Sequence, residues 1–401
     1  MAAPPPSTAD RLAPFGTTIF TEMTRLALQH GAVNLAQGFP DFDGPEFVKR
    51  AAIDAINAGR GQYARMSGDP ALNAALAAQW ARFTGQTIDP DTQVTVTSGC
   101  TEAIAATLLG LINPGDGVIL FQPYYDSYRA GVAMAGGRPL CVTLRPPPGS
   151  GAGIVEQPFT FDEAELRRAF EQRPKAVLVN TPHNPTGKVF TREDLALVAE
   201  LCVKHNVIAI TDEVYEFLTF DGSRPHVRLA TLPGMAERTV TLSSLGKTFS
   251  LTGWKIGWAI ASPGLSKAVR AAHQFLTFAT ATPLQVAAVA AIEHGTAYIG
   301  ELVADYARKR RFLAGRLAEL GFRVFMPEGT YFIMVDHGGL KLGDDVAFCR
   351  YLTEHVRVAA IPPSVFYDDP ALGRTLARFA FCKKQETLDE AARRFGKLTT
   401  R

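Results

Sequence analysis

The sequence predicts an α/β protein with a mostly parallel central sheet and a smaller α+β part after it. Three observations carry this. Helix-like and strand-like stretches alternate between about residues 44 and 262, as they do in βαβ architecture. The strand-like stretches are short runs of Val, Ile and Leu without polar alternation, the pattern of strands buried on both faces. After Pro283 the alternation gives way to a long charged helical stretch followed by scattered short strands.

In chain order, the apolar runs at 93–97, 117–121, 175–180, 207–212 and 239–243 read as strands. A helix is expected over 191–205: Thr191 can cap it, Asp194 stands three positions on, and Leu195, Val198, Leu201 and Cys202 form an apolar stripe. Residues 145–149, with three consecutive prolines and a glycine, read as a surface loop. Beyond Pro283 a helix is expected over roughly 297–320, then strands near Arg323 and Tyr331, a helix near Asp344, and a final strand and helix from Leu376. The expected division is 1–43 as an N-terminal arm and part of the small domain, 44–296 as the large domain and 297–401 as the small C-terminal domain.

Length and composition bound the function. A chain of 401 residues with 47% hydrophobic and 20% charged residues is a globular protein of two or three domains. Its 41 basic against 39 acidic residues give a net charge of +2, too little for a field that holds nucleic acid or an anionic membrane. No apolar stretch reaches the roughly 18 residues of a membrane span, and the Pro-rich first sixteen residues lack the apolar core of a secretory signal; they read as a loose arm. Five scattered cysteines suggest neither a disulfide framework nor a zinc site. The chain is expected to be soluble and cytoplasmic, with no metal.

Four segments carry chemistry. Ser244-Leu245-Gly246-Lys247 follows a predicted strand, with Lys255 eight positions beyond Lys247; a lysine used for Schiff-base chemistry needs the lowered pKa that burial and a neighbouring cation supply. Taken alone, both lysines would more often be solvated loop residues. Asp212-Glu213-Val214-Tyr215 ends a predicted strand, where ligands of open α/β sheets bind, although Asp212 alone could cap a helix. Asn180-Thr181-Pro182-His183-Asn184-Pro185 is a proline-fixed turn that presents the Asn184 amide. Thr97-Ser98-Gly99-Cys100-Thr101 runs from strand to helix. Gly99 permits the tight turn, and the Cys100 and Thr101 amides face whatever anion lies at the helix N-terminus; Thr101 as a simple cap is the alternative.

Together with Asn34-Leu35-Ala36-Gln37-Gly38-Phe39-Pro40-Asp41 and Arg378-Phe379-Ala380-Phe381, these segments resemble the pyridoxal-phosphate-dependent class I/II aminotransferases of fold type I. The resemblance is in particular to the branch of kynurenine and glutamine transaminases and related bacterial enzymes, over almost the whole chain. The resemblance implies pyridoxal 5'-phosphate as cofactor and Lys247 as its Schiff-base lysine and proton shuttle. Asp212 would pair with the ring nitrogen, Asn184 and Tyr215 would donate to the ring oxygen, and Tyr125 would stack on the ring. Ser244, Lys255 and the amides following Gly99, those of Cys100 and Thr101, would hold the phosphate, with Tyr63 reaching it from a partner subunit. Arg378 would clamp the substrate α-carboxylate beside Gly38 and Asn184, and Phe20 would bear on side-chain choice. His183 stands where some relatives carry Asn.

The implied reaction moves the α-amino group of an L-amino acid to a 2-oxo acid in a ping-pong cycle, by a homodimer. Aromatic, kynurenine, glutamine or methionine donors are one reading and N-succinyldiaminopimelate another. β-Elimination from cysteine S-conjugates, which would start from the same carbanion, is an alternative reaction that the resemblance implies. A cofactor-sensing regulator would need a DNA-binding module, and only about forty residues precede the fold.

Overall fold

A computed structural model of the chain describes residues 8–220, 222 and 225–398. Pro4, Pro5 and Pro6 of the expected loose arm lie outside the described residues. Thirteen strands occur among the described residues: β1 (Val33–Asn34), β2 (Val94–Ser98), β3 (Gly117–Gln122), β4 (Arg138–Thr143), β5 (Gly153–Val155), β6 (Ala176–Asn180), β7 (Ile208–Asp212), β8 (Thr239–Ser244), β9 (Ile256–Ala261), β10 (Arg323–Phe325), β11 (Phe332–Asp336), β12 (Val358–Ala359) and β13 (Leu376–Ala380). The five strands expected before residue 262 are present within a residue of their expected ends, and β4 and β9 complete their sheet.

The central sheet has the order β2-β9-β8-β7-β6-β3-β4. Pairings from β8 through β7, β6 and β3 to β4 are parallel, whereas β9 is antiparallel to both β8 and β2. Every residue of β3, β6, β8 and β9 is buried, which is why these strands lack polar alternation. Helices cover both faces. The helix Arg192–His205 begins with a reciprocal capping box, Asp194 N–H to Thr191 Oγ1 and Thr191 N–H to Asp194 Oδ2, both 3.0 Å.

The topology gathers chemistry on one edge. Because β2, β3, β6, β7 and β8 run the same way, the residues that follow Ser98, Gln122, Asn180, Asp212 and Ser244 emerge side by side at their carboxyl ends. The reversed β9 begins at that same edge, with Ile256 opposite Ser98 and Gly257 opposite Ser244, so Lys255, just before it, joins the group. A second sheet, β13-β11-β10-β5, is antiparallel except for the β10/β5 pair. Its β5 comes from residues 153–155, a non-local partner that the apolar pattern does not announce. The short parallel pair of β1 and β12 ties residues 33–34 to 358–359, and the Ala380 amide donates to the Leu35 carbonyl at 2.8 Å. That tie sets the loop 35–41 beside Arg378. Residues 145–149 form the expected loop, held by the Arg323 guanidinium, which donates to the carbonyls of Pro147, Pro148 and Gly149.

Candidate active site

A pocket of about 630 Å³, including its open mouth, lies on that carboxyl edge. Gly99, Cys100, Thr101, Tyr125, Asn184, Asp212, Tyr215, Ser244, Lys247 and Lys255 all line it, so the edge brings together ten of the residues singled out in the sequence. A second space adjoins it, lined by Phe20, Gly38, Phe39, Asp126, Phe332 and Arg378 and sharing Tyr125, Asn184, Tyr215 and Lys247 with the first. Lys247 therefore stands at the junction of the two.

The first space is built for an anion at one end. Gly99 opens the helix Gly99–Leu111 with φ +75°, a conformation that disfavours side chains. A Cβ there would sit 3.2 Å from the Lys255 Nζ, which places that ammonium at the helix N-terminus. Lys255 itself has φ +56°. No side chain caps the helix at Ser98; instead the Glu102 carboxylate accepts from the Ser98 amide at 2.6 Å and from His273 at 2.7 Å. Thr101 does not act as the cap. The amides of Cys100 and Thr101 are left facing the space together with the ammonium, a donor set that suits a phosphate. Gly257 makes the close approach possible, because a Cβ there would lie 2.5 Å from the Gly99 carbonyl carbon and 2.6 Å from the Cys100 nitrogen.

At the other end lies Asp212, 4% exposed. Its Oδ2 accepts from the Tyr128 hydroxyl at 2.7 Å and its Oδ1 from the Val214 amide at 3.2 Å. Burial pushes this carboxyl above its ordinary value, while Tyr128, Val214, Lys247 and Cys100 pull it back. Lys247 follows β8 on the short helix Leu245–Thr248. Burial holds its amine below the ordinary 10.5, which favours the neutral, nucleophilic form. Its Nζ lies 5.9 Å from the centre of the Tyr215 ring.

The turn that carries Asp212 and Tyr215 is pinned from below. Arg228 donates to Glu213 at 2.8 Å and pairs with Glu216, His226 meets Glu213 at 2.8 Å, and Ser243 donates to Glu216 at 2.8 Å. Burial alone would raise the Glu213 carboxyl, and His226 and Arg228 hold it low.

Arg378, on β13, is 1% exposed. It donates to Asn184 Oδ1 and to the Ala36 carbonyl, each at 3.0 Å, and its Nε has no partner. The ring of Phe332 lies 4.1 Å from its guanidinium carbon, with Phe20 and Phe366 within 5.5 Å. No carboxylate pairs with it among the described residues, and burial lowers its pKa to about 10. A desolvated guanidinium without a counter-ion is a waiting anion site. Since Asn184 spends its side-chain oxygen on Arg378, its amide NH₂ remains to donate into the pocket.

The Gly38 carbonyl accepts from the Tyr331 hydroxyl at 2.6 Å, and Tyr331 stands edge-on to Tyr215 at 5.2 Å. Tyr331, Tyr128, Phe332 and Gly257 are site residues that sequence reasoning missed; each acts through a contact distant along the chain. One expected site residue, Tyr63, falls outside the pocket wall, as does the variant position His183, for which no site role was expected. His183 is buried against Thr186 at 2.8 Å, and burial lowers its pKa to about 3, so it is a neutral structural group. Tyr63 is 83% exposed and meets Phe278 edge-on at 5.5 Å; it does not reach the pocket of its own chain. Among the described residues no cluster of His, Cys, Asp and Glu could hold a metal ion, and no helix is long and apolar enough to cross a membrane.

Residues 31–395 match the family described as aminotransferase class I and II. A solved structure of N-succinyldiaminopimelate aminotransferase from Mycobacterium tuberculosis is 47% identical, covering 97% of this chain and 99% of that one with a TM-score of 0.92. A solved Escherichia coli structure described as having a methionine aminotransferase function is 39% identical over 98% and 100% of the two chains, with a TM-score of 0.91. The kynurenine–oxoglutarate transaminase of Dictyostelium discoideum is 40% identical over 94% of this chain and 93% of its own length.

Proposed function

This chain belongs to the class I and II aminotransferases, and from that premise we propose that it is a pyridoxal-phosphate enzyme that prefers donors with uncharged side chains. Such donors are L-amino acids of the aromatic, kynurenine, glutamine or methionine type, with a 2-oxo acid as acceptor.

The cofactor fits the donor set. Lys255, Ser244 and the amides of Cys100 and Thr101 would take its phosphate, Tyr125 would flank the ring, and Asn184 and Tyr215 would donate to the ring oxygen. When bound, the cofactor supplies an electron sink for the charge left on the substrate Cα as its proton departs. The Asp212 carboxylate would pair with the protonated ring nitrogen, keeping that sink effective. Lys247 would hold the cofactor through its amine, and that amine would take the proton from the substrate Cα. Arg378 fixes the α-carboxylate through its fork, oriented by Asn184 and the Ala36 carbonyl. We assign the cytoplasm as its compartment, on the free state of all five cysteines. The working unit is a homodimer in which Tyr63 of each protomer completes the other's phosphate site.

One observation carries the donor preference. Among the described residues lining the space around Arg378, the cations are Arg378 and Lys247, both committed to chemistry, and the single carboxylate is Asp126. Phe20, Phe39, Tyr125 and Phe332 form the rest of the wall with a few polar groups. A second anionic group on the donor finds no counter-charge there, whereas an aromatic or thioether side chain finds apolar surface. The 47% identity to an N-succinyldiaminopimelate aminotransferase supports a second reading, with that donor.

Mixing cofactor-loaded protein with one donor at a time, without acceptor, and following the cofactor absorbance separates the two. Rapid conversion by phenylalanine, kynurenine, methionine or glutamine supports the first reading. Conversion by N-succinyldiaminopimelate alone replaces it with the second.

A further inference from the structure

Asp212 is a carboxylate with almost no access to water, and burial favours its neutral form. An uncharged Asp212 could not pair with a protonated ring nitrogen. The groups that face it are Tyr128 and Tyr125 from the segment after β3, Cys100 from the helix after β2, Tyr215 and the Val214 amide from its own turn, and Lys247 after β8. Lys247 is itself held toward neutrality by burial and is a weak source of counter-charge. Tyr125 and Tyr215 make no hydrogen bond to Asp212. Tyr128 makes the shortest one it has, 2.7 Å to Oδ2.

Tyr128 is shaped for that single task. It lies on the helix Asp126–Met134, buried, and its ring stands edge-on to Tyr125 at 5.7 Å and 83°. Burial and the adjacent carboxylate raise its pKa above the ordinary phenol value, so the hydroxyl serves as a donor to that carboxylate. With Tyr128 on one oxygen and the Val214 amide on the other, the carboxylate plane is fixed before any ligand enters, and each oxygen retains accepting capacity.

We propose that Tyr128 is a positioning residue that keeps Asp212 ionised and oriented for the ring nitrogen of the cofactor. The inference rests on the cofactor reading given above.

The test measures the dissociation constant of pyridoxal phosphate from cofactor-stripped protein between about pH 6 and pH 8.5, for the unaltered chain and for Tyr128→Phe, Asp212→Asn and the double variant. Titration of free cofactor is common to each pair that differs only at Tyr128 and cancels in that pair's ratio. Tyr128→Phe weakens binding by about tenfold at the acid end, and less as the pH rises. The reason is that its Asp212 has taken up a proton that binding must expel. In the Asp212→Asn background the same change has no pH-dependent effect. Tyr128→His, which retains a donor, recovers acid-end affinity relative to Tyr128→Phe, and serves as the second arm if Tyr128→Phe does not fold. A loss for Tyr128→Phe that is uniform across pH, or no loss, overturns the inference, as does a Tyr128→His profile no tighter at the acid end than that of Tyr128→Phe. Failure of the unaltered chain to bind pyridoxal phosphate would instead sink the cofactor reading.

Discussion

Arg378 holds a buried charge that forms no salt bridge with a carboxylate among the described residues, and its guanidinium is clasped by Asn184, the Ala36 carbonyl and three aromatic rings. A lysine in its place keeps the charge and loses the fork. Arg378→Lys is therefore expected to cost about 1.5 to 3 kcal/mol of donor binding, seen as a KM raised roughly tenfold or more; an unchanged KM would remove Arg378 from the carboxylate site. Lys247 makes a pH prediction. Burial places its midpoint below the ordinary 10.5, and only the neutral amine attacks. Cofactor loading should climb with pH and level off below 10.5, as stopped-flow absorbance can follow; a midpoint at or above that value contradicts the burial argument. The same shift carries a stability sign: between the folded midpoint and 10.5 the unfolded chain binds more protons, so this lysine makes the cofactor-free fold more stable as pH rises. Lys247, Asp212, Asn184 and Arg378 were legible because each sits in a motif of fixed spacing. Tyr128 was not, since its role depends on a residue 84 positions away.

The element scale was legible where burial writes itself into composition and obscure where direction matters. Strands buried on both faces announce themselves as Val-, Ile- and Leu-rich runs, and the helix Arg192–His205 was readable from its capping box. Nothing in the residues of β9 says that it runs against its neighbours, yet that reversal delivers Lys255 to the carboxyl edge. The pairing of β5 with β10 was hidden for a similar reason: register between segments far apart in sequence is a tertiary property. Gly257 tests the element-level account. An added Cβ meets backbone of the Gly99 turn, which cannot rotate away, so Gly257→Ala should destabilise the fold by about 1 to 3 kcal/mol and weaken cofactor binding with it. Denaturant unfolding and cofactor titration measure the two, and an alanine protein with unaltered stability would show that the approach of β9 is not as close as described.

Across the molecule, the pocket is enclosed on its Asp212 side and open on its anion side, where Thr101 and Lys255 are exposed. Tyr63, also exposed, is the aromatic that the proposed dimer would bring to that opening from a second protomer. Sedimentation should give a dimer, and Tyr63→Phe should weaken cofactor affinity without altering the donor KM; a fully active monomer would contradict the shared site. Family likeness implied the dimer, but its geometry lies between chains and leaves no mark in the pattern of one. The central claim is that Lys247, set between the anion cradle and Arg378, is the lysine that carries the cofactor. Borohydride trapping of the pyridoxal-phosphate-loaded protein, followed by peptide mass spectrometry, tests it directly. The expected result is a single labelled site at Lys247, lost in Lys247→Ala; a label on Lys255 or elsewhere, or none, would contradict it.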